Sequence, residues 1–482
     1  MGLLARTRIA LAVALFAVAS AGYSADCFSN YILLSERGFQ PNHPAGPVAW
    51  NGSVLAVARA TPGIPVTLSL YDSNLIPLTQ ERTVTTSPLG RSLKLLTNGN
   101  KFALVFFTSS GTIAFQEIAA DGTPLGAERQ IGASHGVFNE QELDATYNPG
   151  ADKWEVLYSV PVTADFGLWL TTIPASNVGG AITDVRLQTF ITSLHPTPRI
   201  AAAANGTIAV SWYRPNNDVN TYFIALYDQT LGFPSSSFIA STNVQLPILT
   251  STGNTFALLY QAPISGGTEL RWMRFNAGGA ITNADARLLI GSGIDVVPIS
   301  ILFNPTLAEW AVTYMDAAVG FVNFPGDYRI RRLTPAGALI SDTIFTPDAN
   351  RSVIPGRFPI ATNGQSYFGS IERFYSTIEG SDSYLVKHCP LDATVKATNP
   401  TPVTRTPFTF TATASGGVAP YTYTWDFGDF TELRHERTFQ HGYERTGTYT
   451  VTLTVTDAYG DKAVRTTTVT VVDTIRRRTT KR

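Results

Sequence analysis

"TNGNKFALVFF", Thr97–Phe107, joins a tight Asn-Gly turn to an unbroken run of strand-forming residues. Asn and Gly tolerate the left-handed backbone that a short turn needs, and Phe, Ala, Leu and Val after it read as a strand. The pattern returns along the chain. It stands as "WNGSVLAVAR" at Trp50, "YNPGADKWEVLYS" at Tyr147, "ANGTIAVSWYR" at Ala204, "STGNTFALLYQ" at Ser251, "FNPTLAEWAVTYM" at Phe303 and "TNGQSYFGSIER" at Thr362. That makes seven copies, about 47 to 59 residues apart.

Each copy has the same internal order. A short run precedes the turn ("SLKLL", "PRIAAA", "LPILT"), a stronger one follows it, and a third comes next ("GTIAFQEI", "TYFIALYD", "ELRWMRFN"). A second turn ("ADGTPLG", "NAGGAIT", "TPAGALI") leads to a fourth run ("AERQIGA", "ADARLLIG", "SDTIFTP"). Four strands in about 50 residues is the size of a β-propeller blade, whereas a sandwich domain needs about 100. The spacing predicts about seven blades, with six or eight as neighbouring counts. The seventh copy holds only three strands, ending at "SDSYLVKHC" with Cys389, and "NYILLSERGFQ", Asn30–Gln40, matches the missing fourth. The N-terminal strand is therefore expected to complete the last blade. That places Cys27 beside Cys389 as a disulfide pair, with two free thiols as the alternative.

Composition agrees with an all-β chain. At 482 residues it exceeds one ordinary core; 44% hydrophobic residues exclude disorder, and 39 Gly with 29 Pro exclude a helical protein. A formal net charge of −1 argues against nucleic acid as a partner. Arg6 and Arg8, the short apolar run Ile9 to Val18 and small residues up to Ala21 or Ala25 form a signal-peptide pattern. No segment is long and apolar enough to span a bilayer, so an exported protein without a transmembrane segment is expected. The basic tail, Arg476 to Arg482, reads as a solvated end or a contact with an anionic surface.

After Cys389 the pattern changes. "GTYTVTLTVTD", Gly447–Asp457, alternates apolar and Thr residues, the signature of a half-buried antiparallel strand. "YTYTWDFGD", Tyr421–Asp429, contains the Asp-Phe-Gly tripeptide of protein kinases, but no phosphate loop, strand Lys or catalytic-loop Asp accompanies it. Instead Tyr423, Trp425 to Asp429, His441, Tyr443 and Gly447 to Val451 occur in an order that resembles the PKD domain, an immunoglobulin-like sandwich. In such a sandwich Trp425 packs between sheets, Gly428 turns the chain, Asp426 and Asp429 bond local amides, and Tyr449 forms a tyrosine corner. Phe430 departs from the family's Gly, so an altered loop is expected there. The resemblance implies an accessory module of surface proteins or secreted hydrolases. The expected organisation is a signal peptide over 1–25, a propeller over 26–390, a PKD-like sandwich over 391–473 and a basic tail over 474–482.

Chemistry-bearing residues are few. The six His residues are scattered without zinc spacing, and no nucleophile elbow, phosphate loop or calcium loop occurs, so no metal and no cofactor are expected. The densest polar stretch is "SHGVFNEQELDATY", Ser134–Tyr147, with His135, Glu140, Glu142 and Asp144 in the connection between two blades. His195 and Arg199 occupy the corresponding connection one blade later, and Trp212 and Tyr213 suit sugar stacking. These residues form the candidate ligand site. The expected function is binding of an extracellular glycan or surface protein by a monomer. The alternative is a glycoside hydrolase or lyase that uses the carboxylates as an acid and nucleophile pair.

Overall fold

The computed structural model describes residues 30–38, 46–59, 61–132, 143–160, 167–189, 197–216, 219–232, 234–242, 244–291, 294–318, 327–345, 353–354, 359–376 and 380–473. All regular elements among them are strands. The chain forms two compact units, one of Asn30–His388 and one that takes in Cys389 and the residues after it.

In the larger unit, consecutive antiparallel strands build six hydrogen-bonded sheets. Four of them hold four strands each, in simple sequence order. The first sheet has seven because the 16-residue strand Arg82–Thr97 changes partners along its length. Its N-terminal half pairs with Pro65–Tyr71 and its C-terminal half, from Leu89, with Phe102–Thr108. The strand thus belongs to two four-stranded halves of one bonded sheet. The last sheet is completed from the other end of the described chain: Asn30–Gly38 lies antiparallel to Gly380–His388, with Ile32 opposite Leu385.

Sheets covered on both faces need no alternation. Phe102–Thr108 is buried at every position, because neighbouring sheets cover both of its sides. Ala103, Val105 and Phe107 pack toward Trp154, Val156 and Tyr158 of the following sheet. Leu104 and Phe106 pack the other way, toward Leu68 and Leu70. The first and last sheets meet in the same manner, with Val48, Leu55 and Val57 against Phe368 and Leu385.

The first strand after each connection lies innermost, and these strands form a closed cycle. Val48–Trp50 neighbours Arg82–Thr97, which neighbours Leu143–Asn148, then Arg199–Ala202, Gln245–Thr252 and Ile294–Asn304 in turn; Ala361–Thr362 adjoins Val48–Trp50. The remaining join is made by the Ile360 amide donating to Ser300 Oγ at 3.2 Å and Asn304 Nδ2 donating to Thr362 Oγ1 at 3.2 Å. Polar side chains secure the other joins. Lys94 Nζ stands 2.7 Å from Asp144, whose second oxygen accepts the Ile200 amide at 3.0 Å. Arg199 Nε donates to Pro247 O at 2.7 Å, the Val296 amide donates to Thr268 Oγ1 at 2.8 Å, and Ser370 Oγ donates to Gly46 O. A strand edge that would otherwise be unpaired is thereby satisfied from the next blade.

The smaller unit is a sandwich of two three-stranded sheets. One holds Asp392–Ala397, Phe408–Ser415 and Thr438–His441; the other holds Thr422–Asp426, Gly447–Thr456 and Lys462–Val471. Trp425, fully buried, sits between them with Phe410 and Phe427, and its indole N–H donates to Glu436 O at 2.9 Å. Asp426 accepts the Gly428 amide at 2.9 Å. Asp429 accepts the Thr431 amide at 3.2 Å and meets His441 Nε2 at 2.8 Å. Burial would raise the Asp429 pKa, but hydrogen bonds from Thr431 and His441 bring it below the usual carboxylate value. Gly428 has a φ of +74°, and a Cβ there would meet Thr450 O at 2.5 Å, so no side chain fits. The Tyr449 hydroxyl donates to Arg445 O at 3.0 Å, a tyrosine-corner bond. Phe430 keeps a left-handed φ of 65° with its ring fully exposed. The turn conformation that Gly would adopt is retained there, and only the side chain departs.

Candidate functional site

The inner strands converge on a cavity of about 550 Å³ in the larger unit. It opens at the end where each inner strand runs into its Asn turn. These turns are built alike. Asn51 Oδ1 accepts the amides of Ser53 and Val54 at 3.1 and 2.9 Å; Asn98 accepts those of Asn100 and Lys101, both at 3.0 Å. Asn304 and Asn363 do the same for Thr306 and Ser366 at 3.1 and 2.7 Å. Such Asx turns fix the strand ends. Asn148, which accepts the Ala151 amide at 3.2 Å, and Asn304 also tie neighbouring turns together: Asn148 Nδ2 donates to Gly206 O at 3.1 Å and Asn304 Nδ2 to Gly364 O at 3.2 Å.

The residue that opens six of the seven repeat copies stands at this wall. Trp50, Thr97, Tyr147, Ala204, Ser251 and Thr362 all line the cavity, and Phe303 of the sixth copy packs instead against Trp310, with ring centres 5.1 Å apart. Trp50 is half-buried and stacked on Phe368 at 5.8 Å. Tyr147 is half-buried too, held by its hydroxyl's 2.9 Å hydrogen bond to Asp152 and by Trp154 at 5.1 Å. Burial, reinforced by Asp152, pushes the Tyr147 phenol up to about 12, so it stays neutral. Among the described residues, no Asp, Glu, Lys, Arg or His lines the cavity.

One carboxylate stands directly behind the wall. Glu155 is buried, and its Oε1 accepts Asn148 Nδ2 at 2.9 Å, while Oε2 has no hydrogen-bond partner among the described residues. Burial outweighs the Asn148 hydrogen bond and the charge of Lys153, and raises its pKa to about 7.

The residues expected from the sequence fall elsewhere. His135, Glu140, Glu142 and His195 lie outside the described residues, as do Cys27, the signal-peptide pattern and the basic tail. Asp144 and Arg199 are placed on neighbouring inner strands, with their charges engaged in the joins between blades. Trp212 is buried and stacked on Phe223 at 5.9 Å in one inter-sheet cluster, while Tyr213 packs into the cluster on the opposite side. The structure does not bring this pair together as a platform. Cys389 is fully buried, and no free cysteine occurs among the described residues. The cavity residues went unnoticed as a site because none is ionisable at neutral pH. The available signal was the variable letter at the head of an otherwise constant repeat.

Among the described residues, no group of three or more His, Cys, Asp and Glu side chains is placed to hold a metal ion. No helix there is long and apolar enough to cross a membrane. Residues 390–471 match the family model of the PKD domain, so an immunoglobulin-like PKD sandwich follows an all-β propeller of no specific family. No curated protein sequence matches the chain. Among solved structures, hydrazine synthase of Kuenenia stuttgartiensis is similar at 12% identity over 75% of this chain and 98% of the other, with a TM-score of 0.43. A prolyl endopeptidase is similar at 12% identity over 77% of this chain and 54% of its own, with a TM-score of 0.46. The SapL1 lectin, solved with alpha methyl fucoside, is similar at 12% identity over 64% and 99%, with a TM-score of 0.40. Scores this low assign none of these activities to the present chain.

Proposed function

We propose that this is an exported binding protein that recognises an extracellular glycan or surface protein through its propeller. The PKD domain serves as an accessory module. Residues 1–25 act as the signal peptide, and Cys27 pairs with Cys389 after its removal. The observation that carries the reading is the cavity at the meeting point of the inner strands, rigidly framed and lined without ionisable acids or bases. A concave, preorganised site of about 300–1,000 Å³ with few polar groups suits binding. Catalysis by an acid and base pair needs titratable groups within about 3 Å of the reacting atom, and those at the other end of the inner strands, Asp144 and Arg199, are committed to the joins.

The test is binding without turnover. Purified protein is incubated with a polysaccharide panel and a panel of extracellular proteins, and bound ligand and released reducing ends are both measured. Retained ligand with no released ends is expected. Release of reducing ends that Glu140→Gln or Glu142→Gln abolishes, with the fold intact, would establish the hydrolase alternative instead.

A further inference from the structure

We infer that the ligand seat is the cavity at the Asn-turn end of the inner strands and that its ligand is the end of an uncharged saccharide chain. This rests on the binding reading above and goes beyond it by naming the end of the propeller and the class of ligand.

The walls set the class. A charged group entering the cavity would give up its hydration and find no opposite charge there, which costs several kcal/mol by rough estimate. A protein partner is a poor match as well, since stable protein interfaces bury about 800 Å² per side over a broad surface, whereas this site is a cavity of about 550 Å³. A sugar ring presents a face of C–H groups and a rim of hydroxyls. The cavity supplies ring surface from Trp50 and Tyr147 and hydroxyl oxygens from Thr97 and Ser251.

The hydroxyl groups also have a direction. Thr97 Oγ1 donates to Lys101 O at 3.1 Å, Thr362 Oγ1 to Ser366 O at 2.8 Å, and Ser251 Oγ to Ala202 O at 2.5 Å. Their hydrogens are spent inside the protein. Thr362 Oγ1 also accepts from the Gly364 amide at 3.0 Å and from Asn304 Nδ2 at 3.2 Å and is filled, while Thr97 Oγ1 accepts from the Gly99 amide at 3.0 Å, so what the wall offers a ligand is lone pairs on Ser251 Oγ and one on Thr97 Oγ1. A surface of acceptors selects a ligand rich in O–H donors. The Tyr147 hydroxyl is likewise committed, to Asp152, and what remains of that residue is its ring. Asx turns after Trp50, Thr97 and Tyr147, and the Ser251 bond to Ala202 O, hold these residues in place before the ligand arrives, which lowers the entropy lost on binding. The opposite end of the same strands carries Lys94, Asp144 and Arg199, already bonded to one another's strands.

The experiment uses the full exported chain on an array of uncharged oligosaccharides (glucose, mannose, galactose, xylose and N-acetylglucosamine series) and acidic ones (uronate and sulfated series). The panel of extracellular proteins runs in parallel. Ala204 and Pro359 are exposed residues of the cavity on two different blades, so Ala204→Trp and Pro359→Trp fill it without replacing a buried side chain. Binding to an uncharged oligosaccharide is expected. Either variant should weaken it about tenfold or more while keeping the wild-type melting profile. Between about 0.05 and 0.5 M salt, affinity should change less than about twofold, since neither side carries charge. Three results overturn the inference: binding to acidic saccharides only, binding that both Trp variants leave intact, or binding to no saccharide at all. With any of these, a ligand bound elsewhere on the propeller, or a protein bound in the parallel panel, leaves the binding reading standing; no ligand of either class removes both.

Discussion

Glu155→Gln tests the electrostatics behind the cavity wall. The carboxyl is 2% exposed, accepts one hydrogen bond, from Asn148, and leaves Oε2 without a partner among the described residues. Burial raises its pKa from 4.5 to about 7. Below pH 4.5 the group is neutral in both the folded and unfolded chain and contributes no pH dependence. As pH rises from there, the unfolded chain loses the proton while the folded one keeps it, so stability falls; above about pH 7 the penalty is complete. At about 1.4 kcal/mol per pH unit that interval corresponds to about 3 kcal/mol. Gln carries no charge at any pH and still accepts from Asn148. The variant should match the wild type near pH 4.5 and gain about 1 to 3 kcal/mol by pH 8.5. For a unit of this size, unfolding entropy of about 2.1 cal/mol/K per residue makes each kcal/mol worth roughly 1.3 °C, so the melting midpoint should rise by about 1 to 4 °C at pH 8.5 alone. Scanning calorimetry of both proteins across pH isolates this one group. An advantage equal at both pH values, or a loss at pH 8.5, would refute the buried, under-bonded carboxyl.

Other outcomes follow from the same structure. A fragment of residues 389–473 should unfold cooperatively on its own, and Trp425→Ala should abolish that transition, because truncating a buried Trp costs roughly 3 to 5 kcal/mol; a fragment indifferent to the change would contradict the sandwich core. Phe430→Gly should stabilise the same fragment by up to about 1 kcal/mol, because the left-handed backbone costs a side-chain-bearing residue about 1–2 kcal/mol and glycine's added chain entropy returns only about 0.5–1. A lower melting midpoint would show that the exposed ring contributes to the fold. Mass spectrometry of a non-reduced digest should recover Cys27 joined to Cys389, and two free thiols there would end that proposal.

The fold was legible because propeller physics repeats itself in the letters. Asx turns recur at Asn51, Asn98, Asn304 and Asn363, and the run after such a turn can be apolar throughout where sheets cover both of its faces, as in Phe102–Thr108. The missing fourth strand of the last copy likewise pointed to Asn30–Gly38. What the letters did not expose was Arg82–Thr97, where one strand serves two blades. No turn residue breaks its middle except Pro88-Leu89-Gly90, and that signal is local backbone geometry, not hydrophobic period.

The site was harder to read for a physical reason that bears on the function. Searching for paired carboxylates leads to the connections before the inner strands, and there the charges of Asp144 and Arg199 answer a structural demand: each inner strand needs partners from the next blade. Charge at that end is therefore a feature that ring closure alone would produce. At the other end two of the joins are made by turn residues, Asn148 and Asn304, and the residue just before each turn varies from copy to copy. It is Trp, Thr, Tyr, Ala, Ser, Phe and Thr in the seven copies. A position held by a recurring frame and filled by six residue types in seven copies makes an asymmetric cavity out of a repeating ring. Asymmetry is what a ring must acquire to bind a ligand without rotational symmetry, and neutral side chains can supply it as well as charged ones.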